Sequence, residues 1–218
     1  MLRILVCVSG GGTNLQALID KIQAGELEGA RIVQVIASRE DAYALERADK
    51  AGIPSCVVAR KEYPSNQAMT VALVDKLKEA RIDLVVLAGF MVILTGEMVQ
   101  AYPNAILNVH PALIPSFAGP GCYGLHVHEK ALEYGVKLTG ATVHFVSEEC
   151  DGGPIVSQKA VEVLPDDTPE VLQRRVMEQC EWQLLPQAVS LFCQDRLKVE
   201  GRTVRVLENA ECGMQNAE

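Results

Sequence analysis

Aromatic residues and long apolar stretches are scarce in this chain of 218 residues. Phe, Trp and Tyr together make up 5% of it, with a single Trp. No run of about 18 apolar residues occurs, so the sequence contains no candidate for a membrane-spanning helix. The start, MLRILVCVSGGG, lacks the length and the cleavage pattern of a signal peptide. We therefore expect a cytoplasmic protein without a membrane partner.

Positive charge is also in deficit. The chain has 20 Lys and Arg against 28 Asp and Glu, which gives a net charge of -8. Nucleic-acid binding relies on clustered Lys and Arg opposite phosphates, so we expect no nucleic-acid partner. The net charge does not exclude binding of a small anionic ligand, because the N–H groups at the start of a helix can hold a phosphate in a protein of negative overall charge.

Motifs for disulfides, zinc and serine hydrolysis are missing. The seven cysteines are odd in number and form no CxxC, which favours reduced thiols. His126-Val127-His128 does not match H-E-x-x-H, and no G-x-S-x-G occurs. We therefore expect no metal. We expect His126 and His128 to be exposed or to support site residues from behind. For His144 the alternatives are a supporting position of that kind and, as the preferred one, a simple hydrogen bond.

What the chain does have is a regular alternation of apolar runs and helical patterns. Strands are predicted over 3–8, 31–38, 53–59, 82–90 and 104–110, and helices over 13–25, 42–52 and 66–80. Continuous apolar strands in this rhythm predict an α/β fold, a doubly wound and mostly parallel sheet with helices on both faces.

The second half of the chain has a different pattern of predicted strands and helices. A helix is predicted over 125–134, an antiparallel strand pair over 137–148 and 154–165, and a long helix over 168–192. Thr168 should cap that helix, Pro169 suits its first position, and Pro186 should kink it. We expect one domain over residues 1–207 and a flexible tail over 208–218.

The segment SGGGTNLQ (9–16) joins the first strand to the first helix. Its glycines allow a sharp turn, and Thr13 and Gln16 match a capping box. No Gly-Lys-Ser/Thr follows, and Leu15 occupies the third glycine position of the dinucleotide motif. The pattern favours a monophosphate site at the helix start, the alternative being a plain Gly-rich turn.

The segment LNVHP places Asn108 and His110 on one face of a strand, because side chains two residues apart share a face. An Asn amide can donate to an oxyanion, and a His can move protons near neutral pH. Asp151, in the turn EECDGGPI, could orient His110 and hold it protonated. The plainer alternatives are a structural His before Pro111 and an ordinary Asp-Gly turn.

Several segments together resemble the family of phosphoribosylglycinamide formyltransferases, folate-dependent enzymes of purine synthesis. The matching segments run in order from about residue 2 to 192: SGGGTNLQALID, LAGFMVILT, NVHPALIPSF, HFVSEECDGGPIVSQ and RRVMEQCEWQLLP. The resemblance implies a Rossmann-like formyltransferase fold. It implies transfer of a formyl group from 10-formyltetrahydrofolate, a co-substrate, to the amine of N1-(5-phospho-D-ribosyl)glycinamide.

The resemblance also implies roles for individual residues. The catalytic trio would be Asn108, His110 and Asp151. The ribonucleotide would be held by Gly12, Thr13, Asn14 and Glu181. Folate would contact Met91, Val92, Ile93, Leu94, Asn108, Ser147, Glu148, Glu149, Cys150 and Asp151.

The chain departs from the family pattern in three places. It inserts AGPGCYG at 118–124, and Asn66 stands where the family has a cofactor-binding Arg that Arg60 or Lys61 could replace. The neighbours of Glu181 are also unusual, which leaves its assignment open by one residue.

Other functions stay open. Two relatives share the fold and the trio: methionyl-tRNA formyltransferase, with a further C-terminal domain, and formyltetrahydrofolate deformylase, with a further N-terminal one. A non-catalytic folate- or nucleotide-binding module is the alternative outside enzymes. We expect small-molecule partners and a monomer or weak homodimer.

Overall fold

A nine-stranded sheet organises residues 1–208, the part of the chain that the computed structural model describes. Its strands are β1 Leu2–Val8, β2 Ala30–Ala37, β3 Ser55–Val57, β4 Leu84–Leu87, β5 Ile106–His110, β6 Leu138–Phe145, β7 Ile155–Glu162, β8 Leu197–Glu200 and β9 Thr203–Val206. The helices are α1 Thr13–Gln23, α2 Ala44–Lys50, α3 Asn66–Glu79, α4 Gly96–Ala101, α5 Leu125–Tyr134, α6 Pro169–Val176 and α7 Trp182–Cys193. The predicted tail lies, apart from Glu208, outside these described residues.

The strand order is β3-β2-β1-β4-β5-β6-β7-β9-β8. The first five strands pair in parallel, and β6 runs antiparallel to both β5 and β7. This confirms the predicted α/β fold with its antiparallel pair. The strand order reverses beside β1, where β2 lies on one side and β4 on the other, so the carboxyl ends of β1, β4 and β5 form the crevice where such sheets bind ligands.

Two apolar layers cover the faces of the sheet. Leu107 and Val109 of β5 lie in the layer beneath α1 and α7, whereas Ile106 lies in the opposite layer, beneath α3. Because successive strand residues alternate, Asn108 and His110 share the face of Ile106. The apolar alternation of β5 therefore fixes both polar side chains on one side.

Several elements differ from the sequence prediction. The hairpin β8–β9, the short helix α4 and a 3-10 turn at Arg60–Glu62 have no apolar periodicity strong enough to predict. None of the helices within residues 1–208 is long and apolar enough to cross a membrane. All nine described strands join one sheet, and the single domain over 1–207 stays a prediction.

The predicted long helix is interrupted at a different place than expected. Thr168 caps α6 by accepting a hydrogen bond from the Val171 N–H at 3.3 Å, as predicted. The irregularity, however, is a π-helical segment at Met177–Glu181, and Pro186 lies inside α7. The kink at Pro186 stays a prediction. A wider π turn changes which residues face inward, and here it buries both Cys180 and Glu181.

Candidate active site

The glycine-rich loop follows β1 and ends at Gly12, which precedes α1 with φ at 68°. The capping box predicted on Thr13 and Gln16 is wrong, because Thr13 is already the first helical residue and no side chain caps α1. A Cβ at Gly12 would lie 2.6 Å from the Cβ of Ala44, so the loop turns here on a glycine. The first N–H groups of α1 are left without an intrahelical acceptor, at the positive end of the helix dipole.

Asn14 and Glu181 connect the start of α1 to the π-helical segment. The Asn14 Nδ2 donates to Glu181 Oε2 at 2.6 Å, and both side chains are buried. Burial raises the pKa of Glu181 to about 7, although the bond from Asn14 opposes the rise. A second link joins the Thr13 hydroxyl to Met177 Sδ at 3.7 Å. Thr13, Asn14 and Glu181, predicted from distant segments, therefore lie together.

Asn108, His110 and Asp151 also come together. His110 Nδ1 lies 3.6 Å from Asp151 Oδ2, and Asn108 Nδ2 lies 3.5 Å from Asp151 Oδ1. His110 is 4% exposed, so its imidazole is sheltered from water, whereas Asn108 and Asp151 are half-buried. An amide, an imidazole and a carboxylate in mutual contact can orient one another and pass a proton.

The environment of His110 differs from the expectation in one respect. Burial lowers its pKa, while the charge of Asp151 and the Phe117 carbonyl raise it, and the net pKa lies below the ordinary value. The Nε2–H donates to the Phe117 carbonyl at 2.8 Å. Asp151 therefore favours the protonated form without holding it as the resting form near neutral pH, because desolvation of the ring outweighs the carboxylate.

Asp151 is fixed by its own backbone and by a loop. Its φ is 54°, a left-handed conformation that Asp tolerates, and its Oδ2 accepts from the Gly119 N–H at 2.9 Å. Burial raises its pKa, but contacts with His144, His110 and Gly119 outweigh this, so the pKa lies below the ordinary value. Asp151 is therefore a carboxylate at neutral pH.

His144 is hydrogen-bonded, as expected, and it also supports the cluster, which was the alternative that sequence analysis did not prefer. Its Nδ1–H donates to the Phe145 carbonyl at 2.8 Å, which leaves Nε2 to accept from Asn108 Nδ2 at 3.0 Å. Nε2 also lies 3.7 Å from Asp151 Oδ1. The register between β5 and β6 places His144 opposite Asn108. The sequence of neither strand alone predicts that pairing.

The segments assigned to folate are the 147–151 turn, which carries Asp151, and residues 91–94, just beyond β4. Met91 and Ile93, just beyond β4, are 56% and 60% exposed, whereas Val92 and Leu94 pack against the core. A Cβ at Gly96 would lie 3.0 Å from Glu148 Oε1, which places the start of α4 beside the 147–151 turn. Ser147 and Glu149 hold that turn through a hydrogen bond of 3.1 Å.

The inserted loop 118–124 lies beside both Asp151 and the 91–94 segment. A Cβ at Gly124 would lie 3.5 Å from Met91 Cε, and Gly119 bonds Asp151 as described. Thr142 anchors the chain before this loop: its hydroxyl donates to the Ala112 carbonyl at 2.7 Å and accepts from the Ile114 N–H at 3.1 Å. The chain is therefore tied to β6 just before the loop and to the 147–151 turn within it.

The position of the missing family Arg is occupied by a local pair. Arg60 Nε donates to Asn66 Oδ1, and its Nη1 donates to the Tyr63 carbonyl at 2.7 Å. Lys61 instead lies 4.0 Å from Glu40. Of the two candidates, Arg60 is thus the one in contact with Asn66.

The remaining histidines lie outside the central cluster. His126 is exposed and pairs with Glu129 at 2.7 Å. His128 is fully buried, and burial, with the nearby charge of His110, lowers its pKa to about 4. No group of three or more His, Cys, Asp or Glu suited to a metal occurs within residues 1–208. The absence of a bound metal stays a prediction.

A shallow hollow of about 450 Å³ lies elsewhere, at the carboxyl ends of β2 and β3. Its charged walls pair with one another, Arg39 with Asp41 at 2.6 Å and Lys61 with Glu40. Because these side chains already pair with one another, they do not converge on a ligand as the side chains around Asn108 do.

Comparison with known proteins agrees with this geometry. The family model described as formyl transferase matches residues 2–189. The chain belongs to the formyl transferase family. The chain is 42% identical over 200 residues to a phosphoribosylglycinamide formyltransferase of Haemophilus influenzae, covering 92% of this chain and 91% of that protein.

Solved structures of the formyl transferase family share the fold. Glycinamide ribonucleotide transformylase 1 from Symbiobacterium toebii superposes with a TM-score of 0.90 at 46% identity, covering 95% of each chain. A formyltetrahydrofolate deformylase from Pseudomonas syringae gives 0.84 at 26% identity, covering 95% of this chain and 66% of the deformylase. The transformylase is the more similar of the two in sequence, fold and length.

Proposed function

We propose that this protein transfers the formyl group of 10-formyltetrahydrofolate to the amine of N1-(5-phospho-D-ribosyl)glycinamide. The products are the N-formyl ribonucleotide and tetrahydrofolate, in purine biosynthesis. The observation that carries the proposal is the Asn108–His110–Asp151 cluster, whose imidazole is buried and whose three side chains lie within 3.6 Å of one another through Asp151. Ser9, at the end of β1, accepts a hydrogen bond from the Met91 N–H at 2.8 Å, so the phosphate loop and the folate segment are neighbours.

The reaction begins with attack of the glycinamide amine on the formyl carbon. A C–N bond forms, and the carbonyl oxygen becomes an oxyanion that Asn108 stabilises by donating a hydrogen bond. The bond from carbon to the folate nitrogen then breaks, and the electron pair stays on that nitrogen. The amine loses a proton and the departing folate nitrogen gains one, so no net proton is consumed.

His144 prepares Asn108 for this task. By accepting one N–H of the Asn108 amide at 3.0 Å, it fixes the amide plane. The second N–H donates to Asp151 Oδ1 at 3.5 Å before substrate binds, and the oxyanion replaces that acceptor. Because the amide plane is already set, this exchange needs little reorganisation when charge develops.

His110 supplies a second donor after a local exchange. Its Nε2–H is held by the Phe117 carbonyl in the substrate-free protein, so the oxyanion must replace that carbonyl. Negative charge on the oxyanion and on Asp151 then offsets the burial that keeps the ring neutral. We infer that Asp151, directly or through water, carries the proton from the amine towards the folate nitrogen.

The two substrates occupy opposite sides of the cluster in this proposal. Gly12, Thr13 and Asn14 hold the phosphate through backbone N–H groups, and Glu181 accepts from the ribonucleotide. The pteridine lies against Met91, Val92, Ile93 and Leu94, and the turn Ser147, Glu148, Glu149, Cys150 and Asp151 covers its other side. Asn108 contacts the formyl group.

The same proposal carries expectations about cofactors, compartment and oligomeric state. The donor is a dissociable co-substrate, and the roles assigned to Asn108, His110 and Asp151 need no metal. Six free cysteines among the described residues suit a reducing cytoplasm. We expect the enzyme to act as a monomer or weak homodimer.

The deciding experiment measures deformylated folate with and without glycinamide ribonucleotide. Release only in its presence supports the proposal. Equal release without it means that water is the acceptor, as in the deformylase whose fold this chain shares. No release in either case favours a different acceptor or a binding module.

The role of His110 is tested by replacement. His110→Ala should lower kcat about a hundredfold or more, the scale of acid–base and oxyanion groups. His126→Ala, an exposed imidazole, is the matched control and should retain activity. Near wild-type transfer by His110→Ala would show that the mechanism is wrong.

A further inference from the structure

We propose that Arg47, on α2, is a positioning residue for the ribonucleotide phosphate. It holds the Gly11 carbonyl so that the N–H groups of Gly11 and Gly12 point together at the phosphate. The identity of the phosphate ligand rests on the proposed function, whereas the shaping of the loop rests on contacts within the protein.

Two successive carbonyls of the loop are tied to α2. The Gly10 carbonyl accepts from the Ala44 N–H at 3.1 Å, and the Gly11 carbonyl accepts from Arg47 Nε at 2.7 Å. In a trans peptide the C=O and N–H point in opposite directions. The N–H groups of Gly11 and Gly12 therefore both point away from α2. Consecutive N–H groups turned the same way form an anion-binding concavity.

The loop lies directly on α2, which leaves it little freedom to turn over. A Cβ at Gly12 would be 2.6 Å from the Cβ and 2.9 Å from the Cα of Ala44. Gly12 also has a φ of 68°, which favours glycine. The contact with α2 therefore sets the position of the loop, and the Arg47 bond sets the direction of its peptide.

The Arg47 side chain is itself held from three directions. Its Nη1 donates to Gln16 Oε1 of α1 at 3.0 Å, and its guanidinium carbon lies 5.0 Å from the centre of the Tyr43 ring. One planar fork thus bridges the loop, α1 and α2. A Lys at this position keeps the charge but has no rigid fork with which to hold both oxygens at once.

The test compares Arg47→Lys with Arg47→Met. Both should raise the KM for glycinamide ribonucleotide about tenfold, the scale of one lost charge-assisted hydrogen bond, with kcat and the folate KM within about twofold of wild type. Lys50→Met is the matched control, because Lys50 also lies on α2, 5.4 Å from the same Tyr43 ring, and its ammonium contacts Tyr43 Oη.

A substrate without phosphate separates positioning from general damage. Glycinamide riboside should react at the same low rate with the wild type and with both Arg47 variants. If the riboside rate falls as much as the ribonucleotide rate, Arg47 only supports the fold and the inference is overturned. If Arg47→Lys behaves as wild type, charge alone matters and the positioning role is overturned.

Inorganic phosphate tests the loop without any formyl transfer. In the wild type and Lys50→Met, phosphate should shift the backbone amide resonances of Gly11 and Gly12, and in Arg47→Met the shifts should need about tenfold more phosphate. Unmoved wild-type amides would overturn the inference. Moved amides in a protein that lacks transformylase activity would overturn the proposed function and leave this inference standing.

Discussion

His110 and Asp151 act on one another through charge across 3.6 Å. The carboxylate raises the pKa of His110 against the effect of burial, and His110 lowers the pKa of Asp151. His110 can therefore gain a proton when an oxyanion forms beside it, because the negative charges of the oxyanion and of Asp151 both favour the imidazolium. A protonated His110 then stabilises the oxyanion during formyl transfer.

Asp151→Asn removes that charge and should lower the pKa of His110 further. Since the protonated ring is the form that stabilises the oxyanion, kcat should fall about a hundredfold or more, and the pH at which the remaining activity is half lost should move down. A profile of kcat against pH measures both effects.

Asp166→Asn is the control for Asp151→Asn, because Asp166 is an exposed carboxylate in the connection from β7 to α6. It should leave the profile unchanged. An Asp151→Asn profile with the wild-type midpoint would show that the carboxylate does not tune His110.

Glu181 gives a second pH dependence, in stability. Its pKa is raised from the ordinary 4.5 to about 7, so the folded protein holds this proton where the unfolded chain releases it. This stabilising contribution is complete below pH 4.5 and is lost as the pH rises through about 7. Gln cannot ionise, so Glu181→Gln should not lose stability as the pH rises. Between pH 4.5 and about 7, the free energy of unfolding of the wild type should therefore fall relative to that of the variant by on the order of 3 kcal/mol.

Urea unfolding at several pH values measures this gain. Glu178→Gln, on the same π-helical segment but exposed, should follow the wild type at every pH. A constant difference between Glu181→Gln and the wild type across the range would contradict the raised pKa.

At the scale of elements, the turn from β1 to α1 depends on one glycine. Gly12→Ala places a Cβ 2.6 Å from the Cβ of Ala44 and forces an L side chain to φ 68°. We expect a loss of about 1–3 kcal/mol in the free energy of unfolding and a higher KM for the ribonucleotide, because the loop must leave α2.

Gly10→Ala is the matched control for stability, since a Cβ there would meet nothing within 4 Å. It should change the free energy of unfolding by less than about 0.5 kcal/mol. Equal losses for the two variants would mean that the close approach of Gly12 to α2 does not decide the shape of the loop.

At the scale of the whole molecule, the sheet joins the early parallel strands to the later antiparallel ones. Trp182, the one Trp of the chain, begins α7, which packs on β6 and β7. Its fluorescence therefore reports on the later half of the sheet, whereas far-UV circular dichroism reports on all helices and strands.

One domain over 1–207 predicts coincident unfolding by the two signals. Urea titrations should give the same midpoint and slope, because a continuous sheet cannot lose one half and keep its core. A fluorescence midpoint well separated from that of circular dichroism would mean that the later half unfolds independently. Calorimetry provides the control, through the ratio of the measured to the van't Hoff enthalpy.

The sequence by itself determined the alternation of strands and helices, the Gly-rich turn and the shared face of Asn108 and His110. These features follow from local periodicity and from the backbone preferences of Gly and Pro. Thr168 as a cap belongs to the same class, since its partner Val171 is three residues away.

Only the tertiary structure decided which distant groups meet. Asn14 and Glu181 are separated by 167 residues, and His144 reaches Asn108 through the register of β5 and β6. The Gly12 cap and the Arg47 contact depend on how closely α2 packs on the loop. Local patterns specify which way a side chain points within its own element, whereas its partner and its pKa depend on burial and on charges from elsewhere in the chain.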